Sequence, residues 1–418
     1  MFSKTFYKLR HWLTTPQSSN KISKNNFKNV QLDALGVGLA DSVLPFIPVF
    51  LTRLGASNLQ ISLLTSLPAI TGFILSLSVG QILESRKNII QWYSIARLIV
   101  ILRYALIGVV AFIVPEKLII PIILVIWGIA TIPQTFLSTG FSMVMNLVAG
   151  PDGRYELMAR RWSIVGITTS IVVLLVGQFL ERIIFPFNYQ LVFIGLTVGG
   201  FISYHFSKKL EISIPPLEYA VRQKSLIKNF SSYFKLIGSE KPFISFSIKR
   251  FVFIFGLAMA IPLLPIYFVR EIQAPDSWIA IFSTSQSAVT ILAYFFWMRQ
   301  SRKRGARFIL LTATICLSFY PVIIAHTSSY LFITFITGVG GIFQAGLDLV
   351  FFDELLKSIP VKRSATFISF AQVLQFGAMG LAPFVGSIIA NQFGIVLALI
   401  ICGGIQLVGF ILFAIKKF

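Results

Sequence analysis

The sequence predicts an all-α membrane protein with twelve transmembrane helices, arranged as two pseudo-symmetric six-helix bundles. Three observations support this prediction: the composition, a succession of long apolar segments, and a repeat that relates the two halves of the chain. Hydrophobic residues make up 56% of the 418 residues and charged residues only 12%, which is about half the charged share of soluble globular proteins. A soluble chain could not cover its surface with so few charges, so the composition excludes soluble, disordered and disulfide-scaffold classes.

Twelve segments are long and apolar enough to cross the hydrocarbon core of a bilayer, which takes about 20 residues of helix. The fourth and the tenth are longer than one bilayer thickness, so we expect them to tilt or to project into the cytoplasm. The predicted spans are residues 30–54, 59–83, 89–114, 118–149, 161–184, 187–206, 242–269, 276–298, 308–326, 329–357, 361–390 and 394–415.

These spans divide the chain into four predicted regions. A basic segment with interspersed aromatic residues precedes the first span, and a long polar stretch with a basic amphipathic run separates span six from span seven. For the N-terminal segment two interpretations stay open, a segment that lies on the membrane surface and a disordered tail, and the polar stretch is predicted to link the two six-helix halves. The predicted regions are a basic cytoplasmic segment 1–29, an N-terminal six-helix bundle 30–206, a cytoplasmic linker with an amphipathic helix 207–241, and a C-terminal six-helix bundle 242–418.

Three short matches relate the two halves of the chain. The sequence Pro-Val-Phe-Leu-Thr-Arg ends at Arg53, and Pro-Ile-Tyr-Phe-Val-Arg ends 217 residues later at Arg270. Ser-Arg-Lys follows both span two and span eight, and Pro151–Arg154 matches Pro360–Arg363. Because the matches occur in the same order at nearly constant spacing, they predict a duplicated unit of six helices.

The 36 Lys and Arg residues outnumber the 15 Asp and Glu residues, for a net charge of +21. In a soluble protein this surplus would suggest a nucleic-acid partner. Here most basic residues fall in loops on one side of the predicted spans, and loops on the other side hold only Arg53, Lys117, Arg182 and Arg270. Cytoplasmic loops collect Lys and Arg, so both termini are predicted to be cytoplasmic, in a bacterial inner membrane. The surplus therefore indicates orientation and contact with membrane lipids, and no nucleic acid.

Polar residues inside the spans are the candidates for function, because a charge at the centre of a membrane helix costs about 2.5–3.5 kcal/mol on insertion scales. Asp41 lies in the middle of span one, and Asp348 lies on a polar face of span ten with Gln344. Span four carries a similar face with Gln134 and Ser138. Such faces are unfavourable towards lipid and are expected to point inward. Hydrogen bonding between packed helices is the alternative for each of these residues.

From about residue 30 onwards the chain resembles the major facilitator superfamily, in its twelve spans, its repeat after six, its central basic loop and its basic turns after spans two and eight. The turn Gly-Gln-Ile-Leu-Glu-Ser-Arg-Lys, residues 80–87, is a shortened form of the family's signature. The proline-bearing antiporter signature of span five is missing, so no subfamily is assigned. The resemblance implies that spans one, four, seven and ten line a central cavity. The predicted substrate- or ion-binding residues are Asp41, Gln134, Ser138, Lys249, Gln344 and Asp348.

The resemblance also implies residues that gate the cavity. Asp33 and Arg250 occupy equivalent positions in the two halves, so a cytoplasmic gate pair between them is one hypothesis, and a structural role for Asp33 is the alternative. Asp353 and Glu354 end span ten beside Lys357 and Arg363 and are predicted to form cytoplasmic gate salt bridges. The predicted gating residues are Asp33, Arg250, Glu84, Arg86, Asp353, Glu354 and Arg363.

Two arginines in span three are predicted to be structural. Arg97 is expected to extend towards the cytoplasm, as long basic side chains near helix ends do. Arg103 lies deeper, so it is expected to need a buried acid or carbonyl group as its partner.

The sequence carries no pattern of an enzyme, a metal site or a cofactor. The three histidines, His11, His205 and His326, are scattered without the spacing of metal ligands. No Gly-x-x-x-x-Gly-Lys loop for a nucleotide is present. Cys316 and Cys402 both lie in apolar runs and are predicted to be packing residues.

The first functional hypothesis is a secondary active transporter, a symporter or antiporter, that moves a small solute by alternating access and works as a monomer. Protons are the expected coupling ion, carried by Asp41 or Asp348. The mixed signs of charge in the implied cavity suit an organic ion or a zwitterion. A lipid or lysolipid flippase of the same fold is the alternative, and a sensor-like membrane protein is a third possibility.

Overall fold

The computed structural model describes residues 24–84, 88–211, 238, 240–359 and 364–415. The basic segment up to residue 23 and residues 212–237 of the predicted linker, with its amphipathic run, lie outside these ranges. In the described ranges the chain forms twelve α-helices and one π-helical turn, which confirms the all-α class. They are α1 (Lys24–Asp41), α2 (Phe46–Arg53), α3 (Asn58–Glu84), α4 (Ile89–Ile113), α5 (Glu116–Leu180), α6 (Phe187–Leu196), α7 (Val198–Ser207), α8 (Lys241–Ile266), the π turn (Tyr267–Glu271), α9 (Asp276–Ala325), α10 (Tyr330–Lys357), α11 (Ser364–Phe393) and α12 (Ile395–Ala414).

The helices do not correspond one to one with the predicted spans. Within the described residues, eleven segments are long and apolar enough to cross a membrane. One of them, α9, has 50 residues, which at 1.5 Å per residue is about 75 Å, more than twice the hydrocarbon thickness. Its backbone leaves the helical region at Gly305, where φ is 79°. We therefore count α9 as spans eight and nine, and the predicted number of twelve spans is approximately confirmed.

Spans one and seven are both irregular near their prolines. In span one, α1 ends at Asp41 and α2 begins at Phe46, just after Pro45. In span seven, Pro262 and Pro265 lie near the end of α8 and the π turn follows. Proline lacks the backbone N–H of a helical hydrogen bond, so such irregularities are expected where it occurs inside a span.

The described part of the first compact unit comprises residues 24–44, 74–84 and 88–211. Its helices α1 and α7 approach each other closely at two glycines. A Cβ atom on Gly36 would lie 2.5 Å from the carbonyl oxygen of Gly199, and a Cβ atom on Gly199 would lie 2.5 Å from that of Gly36. Small residues at such crossings let two membrane helices come into backbone contact.

The described part of the second unit comprises residues 45–73, 238, 240–359 and 364–415. Helix α3 therefore contributes its first part to this unit and its last part to the other. The core of the second unit contains a group of aromatic rings, in which Phe351 of α10 packs edge-on against Phe246 and Phe253 of α8. Its ring centre also lies 5.9 Å from that of Phe413 in α12. These contacts hold α8 and α12 against α10, the helix that carries Asp348.

Replacing Gly36 by leucine should destabilise the first unit, because the new side chain would overlap the backbone of α7. Overpacking of this kind typically costs about 1–3 kcal/mol. We expect a lower thermal unfolding temperature in detergent for Gly36→Leu than for the wild-type protein. Gly195→Leu is the matched control, because Gly195 is exposed. A Cβ atom on it would have no atom within 4 Å apart from its chain neighbours and the backbone of its own helix. Equal unfolding temperatures for the two variants would contradict the proposed close helix crossing.

Candidate functional site

A cavity of about 340 Å³ lies within the second unit, between α8, α10 and α11. Its volume falls in the range of sites for small molecules, about 300–1,000 Å³. Apolar side chains, including Phe351 and Phe352, form most of its wall. The polar side chains that line it are Arg250, Gln344, Asp348 and Gln375.

Asp348 is held in the cavity by two hydrogen bonds. Its Oδ2 accepts a hydrogen bond from the hydroxyl group of Tyr294 at 2.8 Å, and its Oδ1 accepts one from Nε2 of Gln344 at 2.8 Å. Gln344 precedes Asp348 by four residues, so the two side chains lie on the same face of α10. The structure thus brings these two predicted residues together and adds Tyr294, which the sequence analysis missed.

Arg250 contributes the positive charge of the cavity. Its Nη2 donates a hydrogen bond to Oε1 of Gln375 at 2.7 Å, and its guanidinium carbon lies 5.6 Å from the ring centre of Phe351. Its Nε is buried and has no hydrogen-bond partner among the described residues. We predicted Arg250 as a gating residue, and the structure places it in the wall of the cavity.

The two charges of the cavity do not neutralise each other directly. Arg250 and Asp348 both line it, yet no salt bridge joins them in the described part of the chain. The neighbouring Lys249 is buried but is not among the lining residues. The remaining polar side chain of the site, Gln375, was not predicted. It is a polar residue within an apolar span, and this is the sequence signal that could have identified it. The arrangement offers one cationic and one anionic group to a small ligand.

Asp33 lies at the centre of a charge cluster in the first unit and is 1% exposed. It accepts a hydrogen bond from the hydroxyl group of Ser203 at 2.5 Å. Its two carboxylate oxygens lie 3.5 Å from Nε of Arg97 and 3.5 Å from Nη2 of Arg161. Asp33 thus has its partners within the first unit, and Arg250 has its partner Gln375 within the second. The pairing of Asp33 with Arg250 stays a prediction.

The two arginines of span three are both buried. Arg97 is buried next to Asp33 and donates a hydrogen bond to the hydroxyl group of Tyr93, so the expectation that it extends to the cytoplasm is wrong. Arg103 donates a hydrogen bond to the hydroxyl group of Tyr104 at 3.1 Å, and its guanidinium carbon lies 4.0 Å from the ring centre of Trp127. Aromatic faces, which attract guanidinium groups, therefore add to the electrostatic attraction between Arg103 and the acid Asp41.

The remaining predicted residues of the first unit are Asp41, Gln134 and Ser138. Asp41 is half-buried and interacts electrostatically with Arg97, Arg103 and Arg161. Gln134 is half-buried, and its Oε1 accepts no hydrogen bond from the described part of the chain. Ser138 donates to the carbonyl group of Thr135 on its own helix at 3.0 Å.

The predicted cytoplasmic salt bridges of Asp353 and Glu354 form within α10. Nζ of Lys357 lies 2.6 Å from Asp353 and 3.1 Å from Glu354. Lys357, one of the basic residues expected beside the two acids, is thus their partner, and such exposed pairs contribute little to stability. The side chain of Glu84 and the residues Arg86 and Arg363 lie outside what the structure describes.

The second unit also contains a pair of arginine contacts that relate to the sequence repeat. Arg53, at the end of α2, donates hydrogen bonds through Nη2 to Oδ1 of Asp276 at 2.9 Å and to the carbonyl group of Ala274 at 3.2 Å. Asp276 is the first residue of α9. An arginine that ends the first span therefore binds the start of the eighth.

Arg270 makes the equivalent contacts from the other repeat. Its Nη1 donates a hydrogen bond to Oδ1 of Asn58, the first residue of α3, at 2.8 Å, and its Nη2 donates to the carbonyl group of Ala56. Asn58 also donates through Nδ2 to Asn391 at 2.8 Å. We call the contacts of Arg53 with Ala274 and Asp276, and of Arg270 with Ala56 and Asn58, the reciprocal arginine contacts.

These observations define a polytopic α-helical membrane protein with a charged internal cavity and a twofold internal repeat. Residues 246–417 match the family model of the Major Facilitator Superfamily. Together with the fold of the whole chain, this match confirms the resemblance inferred from the sequence, and the subfamily is not assigned. No curated protein sequence matches the chain.

Solved transporter structures share the fold over almost the whole chain. A mutant of the nucleoside transporter NupG is 12% identical, with a TM-score of 0.73, and the match covers 94% of this chain and 100% of that one. A bacterial homologue of the iron transporter ferroportin, inward-facing, is 15% identical with a TM-score of 0.68 over 95% and 99% of the two chains. A bacterial homologue of the human lysosomal transporter Spinster is 13% identical with a TM-score of 0.66 over 92% and 94%. At these identities the likeness is one of fold.

Replacing Asp33 by alanine should strongly destabilise the first unit, because Arg97 and Arg161 would keep their buried charges without the acid between them. Removing one partner of a buried ion pair typically costs about 3–5 kcal/mol. Asp353→Ala is the matched control, since it removes an acid from an exposed pair. Thermal unfolding in detergent should separate the two variants clearly, and similar unfolding temperatures would contradict the role given to Asp33.

Proposed function

We propose that the protein is a secondary active transporter that moves a small organic ion or zwitterion and is coupled to protons. The observation that carries this proposal is the cavity in the second unit, where Arg250 and Asp348 face a common space without a salt bridge between them. The family match and the shared fold support a membrane transporter. Because the similar structures are described as transporters of different solutes, they do not select a substrate.

The chemistry of the cavity favours a substrate with two unlike polar groups. The guanidinium group of Arg250 lines the cavity, and arginine binds carboxylate and phosphate groups with two parallel hydrogen bonds. Asp348 can accept further hydrogen bonds from an ammonium or hydroxyl group. Phe351 and Phe352 offer an apolar surface to the rest of the molecule. An α-amino acid has these features, and so does a hydroxylated acid of the same size as an amino acid.

Proton coupling would act through Asp348. As a carboxylate it accepts hydrogen bonds from Tyr294 and Gln344 and balances the charge of Arg250 across the cavity. A proton on Asp348 would remove this balance and leave the cavity with a net positive charge, which changes its affinity for an anionic group. Binding of the proton and binding of the substrate are then linked. Asp41 is the second candidate for the proton-carrying residue.

Alternating access would use the reciprocal arginine contacts. They join the ends of spans one and seven to the starts of spans eight and two, on the side that the charge distribution predicts to face outside. We propose that they form when the outer side is closed and break when it opens. The repeat supplies the same contact twice, so the two halves share the free energy of closure in a symmetric way.

Asp348→Asn should remove the dependence of transport on a pH gradient while substrate exchange without a gradient continues. Amino acids, small carboxylates and nucleosides would be added to proteoliposomes that contain a pH-sensitive dye, and proton movement would be recorded with each. Glu354→Gln is the control, because this half-buried acid pairs with Lys357 on its own helix and does not line the cavity. An unchanged pH dependence in both Asp348→Asn and Asp41→Asn would contradict proton coupling.

Replacing Arg53 and Arg270 by alanine should shift the protein towards the state with its outer side open. Spin labels at Ser57→Cys and Gln273→Cys, in a background without the native cysteines, would report the distance between the two exposed loops. We expect a larger share of long distances in the double alanine variant. Lys117→Ala, which removes another basic residue predicted to lie outside, serves as the control. An unchanged distance distribution would contradict the gating role of the contacts.

A further inference from the structure

We propose that a groove on α9 and α10 binds one anionic phospholipid, with an acyl chain along the groove and the phosphate group at Arg304. This groove lies on the second unit and is separate from the cavity of Arg250 and Asp348, since no residue lines both the groove and the cavity. It is independent of the proposed transport function. Its evidence is the shape, the chemistry and the charge of the groove.

The groove has a volume of about 560 Å³ and lies between the two halves of α9 and the middle of α10. Its wall consists mostly of apolar side chains, and two of them, Leu292 and Phe296, are 69% and 48% exposed. These residues belong to membrane spans, so the groove opens towards the lipid. Trp297 forms part of the wall and is fixed in place, because its indole N–H donates a hydrogen bond to the carbonyl group of Ile342 at 2.6 Å.

The polar groups of the wall do not suit a polar solute. Among the lining residues only Gln300, Arg304 and Thr312 have polar side chains. The hydroxyl group of Thr312 already donates to the carbonyl group of Phe308 at 2.8 Å. A polar molecule in the apolar part of the groove would therefore lose hydrogen bonds to water without replacing them. A hydrocarbon chain has no such loss, and it is the occupant that this part of the groove favours.

Positive charge is concentrated at one end of the groove. Gln300 and Arg304 lie next to the turn at Gly305, and the guanidinium carbon of Arg304 lies 4.8 Å from the ring centre of Phe308. No Asp or Glu occurs in the sequence between Asp276 and Asp348, so no acid of this segment competes for the arginine. The exposed basic residues around the turn are Arg299, Arg302, Lys303, Arg304 and Arg307.

Charge and location together select an anionic lipid. The turn between spans eight and nine is predicted to be cytoplasmic, where anionic lipids give the leaflet its negative surface potential. Basic pockets between membrane helices on this side bind the head groups of such lipids. The groove has an apolar part for the acyl chain and a cationic end for the phosphate, which matches the two parts of a phospholipid.

The test measures lipid binding to the purified full-length protein by native mass spectrometry. Phosphatidylglycerol and phosphatidylcholine with identical acyl chains are titrated separately. We expect one phosphatidylglycerol to bind more tightly than phosphatidylcholine, and Arg304→Gln to weaken its binding about fivefold. Arg302→Gln is the matched control, because it removes the same charge from the same turn but does not line the groove. Equal binding of the two lipids to the wild-type protein would overturn the proposal.

Two further outcomes decide whether the groove itself is the site. Thr312→Phe should fill the groove and weaken phosphatidylglycerol binding while its unfolding temperature stays that of the wild type. Val289→Phe replaces it if that variant does not fold. Undiminished binding in a folded groove-filling variant would overturn the proposal. An equal loss of affinity in Arg304→Gln and Arg302→Gln would also overturn it, because the attraction would then come from the whole basic turn.

Discussion

The hydrocarbon core of a membrane offers no water to a polar group, and the arrangement of charges in this protein follows from that constraint. In the first unit, buried Asp33 lies between Arg97 and Arg161, so that α1, α4 and α5 meet around one carboxylate. In the second unit, Arg250 and Asp348 line one cavity and form no salt bridge with each other in the described structure. Buried charges that pair with one another hold helices together. Charges that face a common space without pairing can bind the charged groups of a ligand.

The internal repeat gives this architecture a second property. The arginine that ends span one and the arginine that ends span seven match each other in the sequence repeat, and they meet equivalent partners, each in the opposite repeat. Each binds the first residue of a helix, Asp276 or Asn58, and a backbone carbonyl group two residues before it. The start of a helix carries a partial positive charge, which stabilises an oxygen-bearing side chain there. The side-chain oxygens of Asp276 and Asn58 also accept the hydrogen bonds of the two arginines.

Most of the fold could be predicted from the sequence, because long apolar segments and a repeat are strong signals in a membrane protein. The site was predicted in part. Gln344 and Asp348 are four residues apart on one helix, so local spacing was enough to bring them together. That Arg250 lines the cavity could not be predicted, because the direction of its side chain depends on how α8 packs, and its gating role stays a prediction. Asp353 and Glu354 pair with Lys357, as their position beside it in the sequence suggested, because a partner one turn away on the same helix requires little ordering.

Proton-coupled movement of a small organic ion or zwitterion, as we propose it, can be measured directly as flux through the wild-type protein. The protein would be studied in proteoliposomes with an imposed pH gradient and a panel of amino acids, small carboxylates and nucleosides. We expect saturable, gradient-driven flux of at least one solute that carries an anionic group, with proton movement in a fixed ratio to it. Flux that proceeds equally with and without a pH gradient, or no flux for any solute with an anionic group, would show that the protein is not such a transporter.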